Sequence, residues 1–358
     1  MIDFLVIGGG IAGVSAAARL SELGTVTVLE AEDALAYHAS GRSAALFEEN
    51  YGKPSTVDLN KASQAFHAAA DVLSPRGLML VGGADQAALF AADQTAMKLT
   101  SITVDEALGM VPILDRRVID RAAYDPHAWD IDTDRLVQTF ARTARGNGAE
   151  IATKAEVTAL SRIAGGWSVT TRTEIYAART IVNAAGAWAD RIAVMAGIAP
   201  LGLTPLRRSM ARIPAPGGHD VSGWPMLFGP GEDWYAKPDA GALIVSPAEE
   251  DLVEPHDAYA DDMVLAEGLA RYEANVTEPV TRLLSSWAGL RTFAPDRSLV
   301  LGPDPAERSF VWCAGQGGYG MQSSPAASQL LADLVAGRTP ELPHETVQAL
   351  LPARFSGA

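Results

Sequence analysis

The run Phe4-Leu5-Val6-Ile7-Gly8-Gly9-Gly10-Ile11-Ala12-Gly13-Val14, followed by Thr25-Val26-Thr27-Val28-Leu29-Glu30, decides the fold. A short apolar strand runs into three glycines. It then enters a segment whose apolar Val14, Ala17, Ala18 and Leu20 recur at helical spacing. Gly24 closes that helix, and a β-branched strand ends on Glu30. The result is a βαβ unit, whose parallel crossover is right-handed. Here Gly8 permits the tight turn, Gly10 lets a pyrophosphate approach the backbone, and Gly13 lets helix and strand pack closely. The opening turn of the helix, with Ile11 and Ala12, offers unpaired N–H groups and a partial positive charge to phosphates. Glu30, followed by Ala31, stands where an acidic side chain accepts from ribose hydroxyls. It would repel the 2′-phosphate of NADP.

Working outward, the chain of 358 residues is long enough for two domains, and 48% hydrophobic residues suffice for a large core. The formal net charge of −15 repels nucleic acid and anionic membrane, so no nucleic-acid partner is expected. The one cysteine, Cys313, lies in the apolar run Phe310–Ala314; it excludes an internal disulfide or a multi-cysteine metal site and reads as a packed core thiol. No metal site is expected. The N-terminus begins the first strand with no signal pattern, and no apolar stretch is long enough to cross a bilayer. A cytoplasmic protein without stable membrane insertion is expected.

Two further segments separate FAD from NAD. Val182-Asn183-Ala184-Ala185-Gly186-Ala187-Trp188 is a strand running into small residues that allow close approach of a cofactor. Gly315-Gln316-Gly317-Gly318-Tyr319-Gly320 precedes a helix read over 324–336, whose N–H groups suit the flavin edge where negative charge gathers on reduction. From about 200 to 290, short strands divided by Pro and Gly carry Trp224, Met226, Phe228, Trp234, Tyr235 and Ile244. The expected fold class is α/β: a Rossmann-like FAD-binding domain over 1–75, 135–200 and 295–358. Residues 76–134 and 201–294 form an inserted α+β substrate domain with a mostly antiparallel sheet.

Ile7 to Gly13, Glu30, Ser40-Gly41-Arg42-Ser43-Ala44-Ala45, Val182 to Trp188, Trp287-Ala288-Gly289-Leu290-Arg291 and Gln316 to Gly320 occur in this order. In that order the chain resembles the D-amino-acid oxidase-like family of flavoproteins along nearly its whole length. Within it the chain resembles the bacterial D-arginine dehydrogenases. Asp130 to Thr133, Arg207-Arg208-Ser209, Trp224 to Leu227 and Lys237 to Gly241 are also similar to theirs. The resemblance implies non-covalent FAD and oxidation of an amino acid at its Cα–N bond, with electrons passing to a quinone or O2. It implies cofactor contacts from Gly8, Gly10, Ile11, Ala12, Gly13, Glu30, Ala31, Gly41, Arg42, Ser43, Ala44, Val157, Ala185, Gly186, Trp188, Arg291, Gly317, Gly318, Tyr319, Gly320, Met321 and Gln322.

For the reaction, the resemblance implies Arg208 and Arg291 on the substrate carboxylate, Tyr51 on a lid, Tyr235 on the middle sheet, and the Gly318 carbonyl accepting from the amine. Leu46, Glu48, Leu78, Met226 and Phe228 then line the side-chain pocket. One departure matters. The glutamate that pairs with a guanidinium in the D-arginine dehydrogenases is replaced here by Leu78, and an apolar wall cannot satisfy a buried guanidinium. Apolar, aromatic or broad-range D-amino acids are therefore expected, with Glu48 or Glu49 of the lid as the alternative partner for a cationic side chain. A secondary-amine (sarcosine-type) oxidase, a 2-hydroxy-acid dehydrogenase on the same fold and a non-catalytic flavin-binding subunit remain as alternatives.

Overall fold

A computed structural model describes residues 1–355, and among them two large sheets organise the chain. In the first, eight-stranded sheet, Ile2–Ile7 lies between Val26–Leu29 and Ile175–Asn183, both parallel to it. Glu150–Ala152 extends the parallel set on one side and Phe310–Ala314 on the other. The antiparallel hairpin Val157–Ile163 and Gly166–Thr171 joins the far end. Strands buried on both faces read as continuous apolar runs, as Leu5, Val6, Val28 and Phe310 do.

The helix Ile11–Leu20 covers one face of this sheet, flanked by Thr133–Gly146 and Gly320–Ala336. Its alanines 16, 17 and 18 are buried, and small side chains let the three helices approach closely around Leu20, Phe140 and Leu330. Each large buried side chain contributes about 1.5–3 kcal/mol. Asp132 caps Thr133–Gly146 by accepting from the Arg135 N–H at 2.9 Å. The closing helix starts at Gly320, four residues ahead of the sequence reading, with Pro325 inside it; the Met321 carbonyl that loses the proline's N–H accepts from Ser324 Oγ at 3.1 Å instead.

Close packing at the glycine loop has a steric cause. Gly8 has φ of 108°, and a Cβ on it would lie 2.4 Å from the Ala184 carbonyl oxygen. A Cβ on Gly13 would lie 1.8 Å from the Gly8 carbonyl oxygen. The helix mouth and the strand ends therefore meet with no room for a side chain.

The second, nine-stranded sheet is built on Thr204–Pro214, which pairs with Ser285–Phe293 along its length and also with Ala242–Ser246. From there the order runs through Tyr235–Asp239, Met226–Phe228, Leu78–Gly82 and Arg121–Asp125. All these pairs are antiparallel except Met226–Phe228 with Leu78–Gly82. Side chains alternate between the two faces of a strand. Met79, Val81, Leu227, Ala236, Val245 and Ile213 fill one face's core. Leu78, Leu80, Phe228, Tyr235, Met210 and Ile244 fall on the other.

Gly13→Ala should yield protein with little bound flavin and a lower melting temperature, since overpacking of this kind costs about 1–3 kcal/mol or more. Flavin content and thermal melts of the purified variant check this; wild-type values in both would mean that the contact yields.

Candidate active site

The second face of the nine-stranded sheet is one wall of a cleft that encloses about 740 Å³ with the solvent at its mouth included. The opposite walls come from the segment 43–51 and from Gly318, Met321 and Gln322. Leu46, Glu48, Tyr51, Leu78, Met226, Phe228, Tyr235, Arg291 and Gly318 all line it, as do the cofactor candidates Ser43, Ala44, Met321 and Gln322. Ala45, Met97 and Glu232 also line it and were not expected from the sequence. Residues named for cofactor and for substrate thus share one space.

Strand register explains the arginine pair. Arg208 lies opposite Gly289, and Arg291 lies opposite Leu206. Arg208 and Arg291 are therefore diagonal neighbours on one face of adjacent strands, about 7–8 Å apart. Arg208 is 4% exposed, and its Nε and Nη1 are buried without partners. Its Nη2 reaches Glu250 only at 3.4 Å. Burial first, and then the charge of Arg291, hold the Arg208 guanidinium below its ordinary pKa. Two buried guanidiniums side by side, one with free donors, form a receptor for a carboxylate.

The Tyr51 hydroxyl donates to Glu232 Oε2 at 3.0 Å, and the Tyr51 ring lies 5.2 Å from that of Tyr319. Burial, followed by the charge of Glu232, raises the Tyr51 pKa, so it remains a neutral donor. Glu232 has φ of 54°, an uncommon conformation for a residue with a side chain. Its charge acts on Arg208 and Arg291 from within the cavity. The sequence signal for it was weak: an acid in the turn Gly229-Pro230-Gly231-Glu232. Tyr235 donates to Met210 Sδ at 3.2 Å. A Cβ on Gly318 would lie 2.9 Å from Arg291 Nη1, so the glycine backbone rests on the guanidinium.

Lys237 is a further residue that sequence reasoning missed. It shares the face of Tyr235 and is 7% exposed. Its ammonium donates to the Ala44 and Ala45 carbonyls and is 2.8 Å from Asp130 Oδ1. Arg76 binds the other oxygen of Asp130 at 2.7–2.8 Å. A buried cation thereby ties the loop Ser43–Ala45 to the second sheet. The signal available was a lysine on an otherwise apolar strand face.

The cofactor positions divide into those free to bind and those already engaged. The helices starting at Ile11 and Gly320 have no side-chain cap from their own N-cap residues, Gly10 and Tyr319. Ser40 Oγ takes the Ile11 N–H at 2.9 Å, leaving Ala12 and Gly13 as open donors at the first helix. Gly317 has φ of 52°, and at the second helix Gln322 Nε2 and Gln316 Nε2 are buried without partners. Glu30 Oε2 accepts from Gly9 N at 2.7 Å, so the acid sits at the loop's mouth beside the exposed Ala31. Asn183, which was not anticipated, donates to Ala189 O at 2.8 Å and shapes the turn of Ala185, Gly186 and Trp188. Val157 packs against Ile7 and Leu29. Gly41 leaves no room for a side chain beside Ala36 O. Arg42 behaves differently from expectation: its guanidinium donates to Tyr37, Ala258 and Ala288 carbonyls and to Asp257. That side chain therefore holds two parts of the chain together, and Trp287 Nε1 donates to the Arg42 carbonyl at 3.1 Å. Cys313 is buried against the Ala12 carbonyl, and burial pushes its thiol up to about 12. Glycine-walled, uncapped helix mouths with orphaned amide donors fit the pyrophosphate and the flavin carbonyl edge of FAD.

Residues 3–334 match the FAD dependent oxidoreductase (DAO) family, and the chain belongs to it. Glycine oxidase of Geobacillus kaustophilus is 26% identical over 236 residues, 65% of this chain and 61% of that protein. Hydrogen cyanide synthase subunit HcnC of Pseudomonas aeruginosa is 27% identical over 232 residues, 62% of this chain and 52% of that protein. The chain spans about a third to three fifths of the length of the curated relatives it matches. L-proline dehydrogenase from P. horikoshii has the same fold, with a TM-score of 0.83 and 23% identity over 99% of this chain and 97% of that one. Among the described residues no helix is long and apolar enough to cross a membrane, and no cluster of side chains suits a metal ion.

Glu48 supplies a test of the cavity's electrostatics. It is 2% exposed, and burial raises its carboxyl to about 7, opposed by the Asn50 N–H groups and reinforced by Asp125 and Glu49. Between its ordinary 4.5 and about 7, the folded chain keeps a proton that the unfolded chain has released, so stability falls as pH rises through that window. The full effect is about 3 kcal/mol. Glu48→Gln should therefore melt higher than wild type at pH 8, with the advantage shrinking towards pH 5. A difference that does not change with pH would show that Glu48 titrates normally.

Proposed function

We propose that this flavoenzyme oxidises D-amino acids with apolar, aromatic or a broad range of side chains to imino acids, which water hydrolyses to 2-oxo acids and ammonia. The observation that carries this reading is Arg291 in the cavity wall with Arg208 behind it on the neighbouring strand, buried and with two donor atoms unpartnered. A carboxylate held by two guanidiniums is fixed in position and direction, with the Tyr51 hydroxyl turning to it from Glu232, and alignment of this kind lowers the barrier. The Gly318 carbonyl accepts from the amine and orients it. Bound FAD supplies the acceptor for the Cα hydride. The open N–H groups of the helix at Gly320 stabilise the charge that reduction places at its mouth.

No base was expected from the sequence; of the two cavity carboxyls, Glu232 is engaged by Tyr51 and Glu48 by Asn50. Within the family we place the chain nearest the D-arginine dehydrogenases, on Asp130 to Thr133, Arg207 to Ser209 and Lys237 to Gly241, with Leu78 in place of their acid. The names of the relatives, glycine oxidase and L-proline dehydrogenase, support oxidation of an amino acid. A quinone or O2 as final acceptor and a cytoplasmic location complete the reading.

Anaerobic mixing with both enantiomers of all amino acids is the test. D-enantiomers should bleach the flavin, while L-enantiomers and 2-hydroxy acids should not. Bleaching by hydroxy acids alone, or by none of them, would sink the reading. Arg291→Met should raise KM for every amino acid by about tenfold or more while the flavin spectrum persists, since charge-assisted bonds are worth about 1.5–3 kcal/mol.

A further inference from the structure

One face of the helix Pro54–Ala69 is polar where a core helix is ordinarily apolar. Thr56, Asn60, Ser63 and His67 follow at helical spacing, and all four are fully buried. Burying such groups is costly unless they are hydrogen-bonded. Three of them bond to the segments that carry Tyr51 and Gln322 into the cavity wall. Asn60 Nδ2 donates to the Tyr51 carbonyl at 3.0 Å. Ser63 Oγ accepts from the Ala326 N–H at 3.1 Å, and His67 Nε2 lies 2.8 Å from the Gln322 carbonyl.

Pro325 explains why outside donors are needed there. Proline has no N–H, so the Met321 carbonyl lacks its usual backbone donor and takes Ser324 Oγ instead. The next carbonyl, that of Gln322, receives His67. A carbonyl only accepts, so the nitrogen facing it carries the hydrogen, and His67 is the Nε2–H tautomer. Its Nδ1 is buried with no partner, and burial holds the imidazole pKa below its ordinary value, against the pull of the Gln322 carbonyl. His67 is therefore a neutral donor. Its ring packs against Phe47 and Phe66, with centroids 5.4 and 6.4 Å away. The Gln322 side chain is fixed as well: Oε1 accepts from the Glu48 N–H at 3.1 Å, which leaves Nε2 as a free buried donor.

We propose that His67 is a positioning residue for the cofactor: by holding the Gln322 carbonyl where Pro325 interrupts the helix, it keeps the turn 320–322 and the Gln322 amide directed at the flavin edge. Ser63 steadies the same turn, and Asn60 steadies the lid beside it. His67 itself does not line the cavity. Without its hydrogen the Gln322 carbonyl is left buried and unpaired, and the turn shifts to find another donor. The donors of the turn then meet the flavin less well. FAD binds more weakly, and the charge of its reduced form is less stabilised. The inference needs FAD at this turn but no particular substrate.

The test uses the holoenzyme. The dissociation constant for FAD is read from the fluorescence released on dilution, and the midpoint potential from reduction by dithionite against reference dyes. His67→Phe keeps a ring against Phe47 and Phe66 and removes the donor. It should weaken FAD binding by about tenfold, as expected for a buried carbonyl left unpaired, and make the potential more negative. Flavin reduction by D-norleucine should slow while KM stays within about twofold, because Arg208 and Arg291 stand on the other sheet. His67→Gln carries an N–H the same number of bonds from Cα as imidazole Nε2 and should restore affinity and potential. His67→Asn, one bond shorter, should not. If His67→Phe fails to fold, the Gln and Asn variants make the same comparison. Wild-type affinity and potential in His67→Phe, or equal losses in His67→Gln and His67→Asn, would reduce His67 to core packing and overturn the inference. If D-amino acids do not bleach the wild-type flavin while affinities and potentials follow the expected order, the amino-acid reading falls and this one stands.

Discussion

The missing Cβ at Gly13 is the constraint on which the rest depends. It lets the mouth of the helix Ile11–Leu20 close onto the Gly8 carbonyl, at a distance no other residue permits. The helix is thereby aimed, uncapped, at the ends of the parallel strands. The alanines behind it then bring the helices Thr133–Gly146 and Gly320–Ala336 into the same layer. The second of these presents another uncapped mouth to the cleft. Two sets of backbone donors therefore converge with few side chains between them, as a long cofactor with a charged middle and a polar ring edge requires.

Against that cradle stands a sheet whose chemistry follows from alternation. Residues two apart share a face, so one face of the second sheet is an ordinary core while the other carries arginines, tyrosine and apolar wall residues in sequence across the strands. Lys237 and Arg42 join the two halves. Each places a cation on backbone carbonyls of the partner segment, Lys237 on Ala44 and Ala45, and Arg42 on Ala258 and Ala288. These contacts fix the cavity wall without placing a side chain in the cavity itself.

Much of the fold could be read from local pattern. The first βαβ unit, the strand before Gly186 and the glycines before Gly320 lie where the spacing put them, because turns, helix starts and strand periods are set by neighbours in the chain. Edges were less legible. The strand ending at Asn183 starts at Ile175, since pairing with Trp167–Thr170 recruits residues that carry no strong signal of their own. Arg42 is a cofactor contact by resemblance alone, and no local pattern signals that Asp257 and two carbonyls from elsewhere in the chain hold its guanidinium.

By itself the sequence determined the glycine-loop cradle, the acid at the end of the second strand and the presence of arginines in the middle region. Each depends on residue type and short-range spacing. Only the tertiary structure decided which arginine donors stay free, that Glu232 enters the cavity, and that Glu48 is buried among acids with an oxygen unpaired. The physical reason is that burial and charge balance are sums over groups far apart in the chain. A carboxyl's protonation and its appetite for a cation are therefore set by what the fold brings near it.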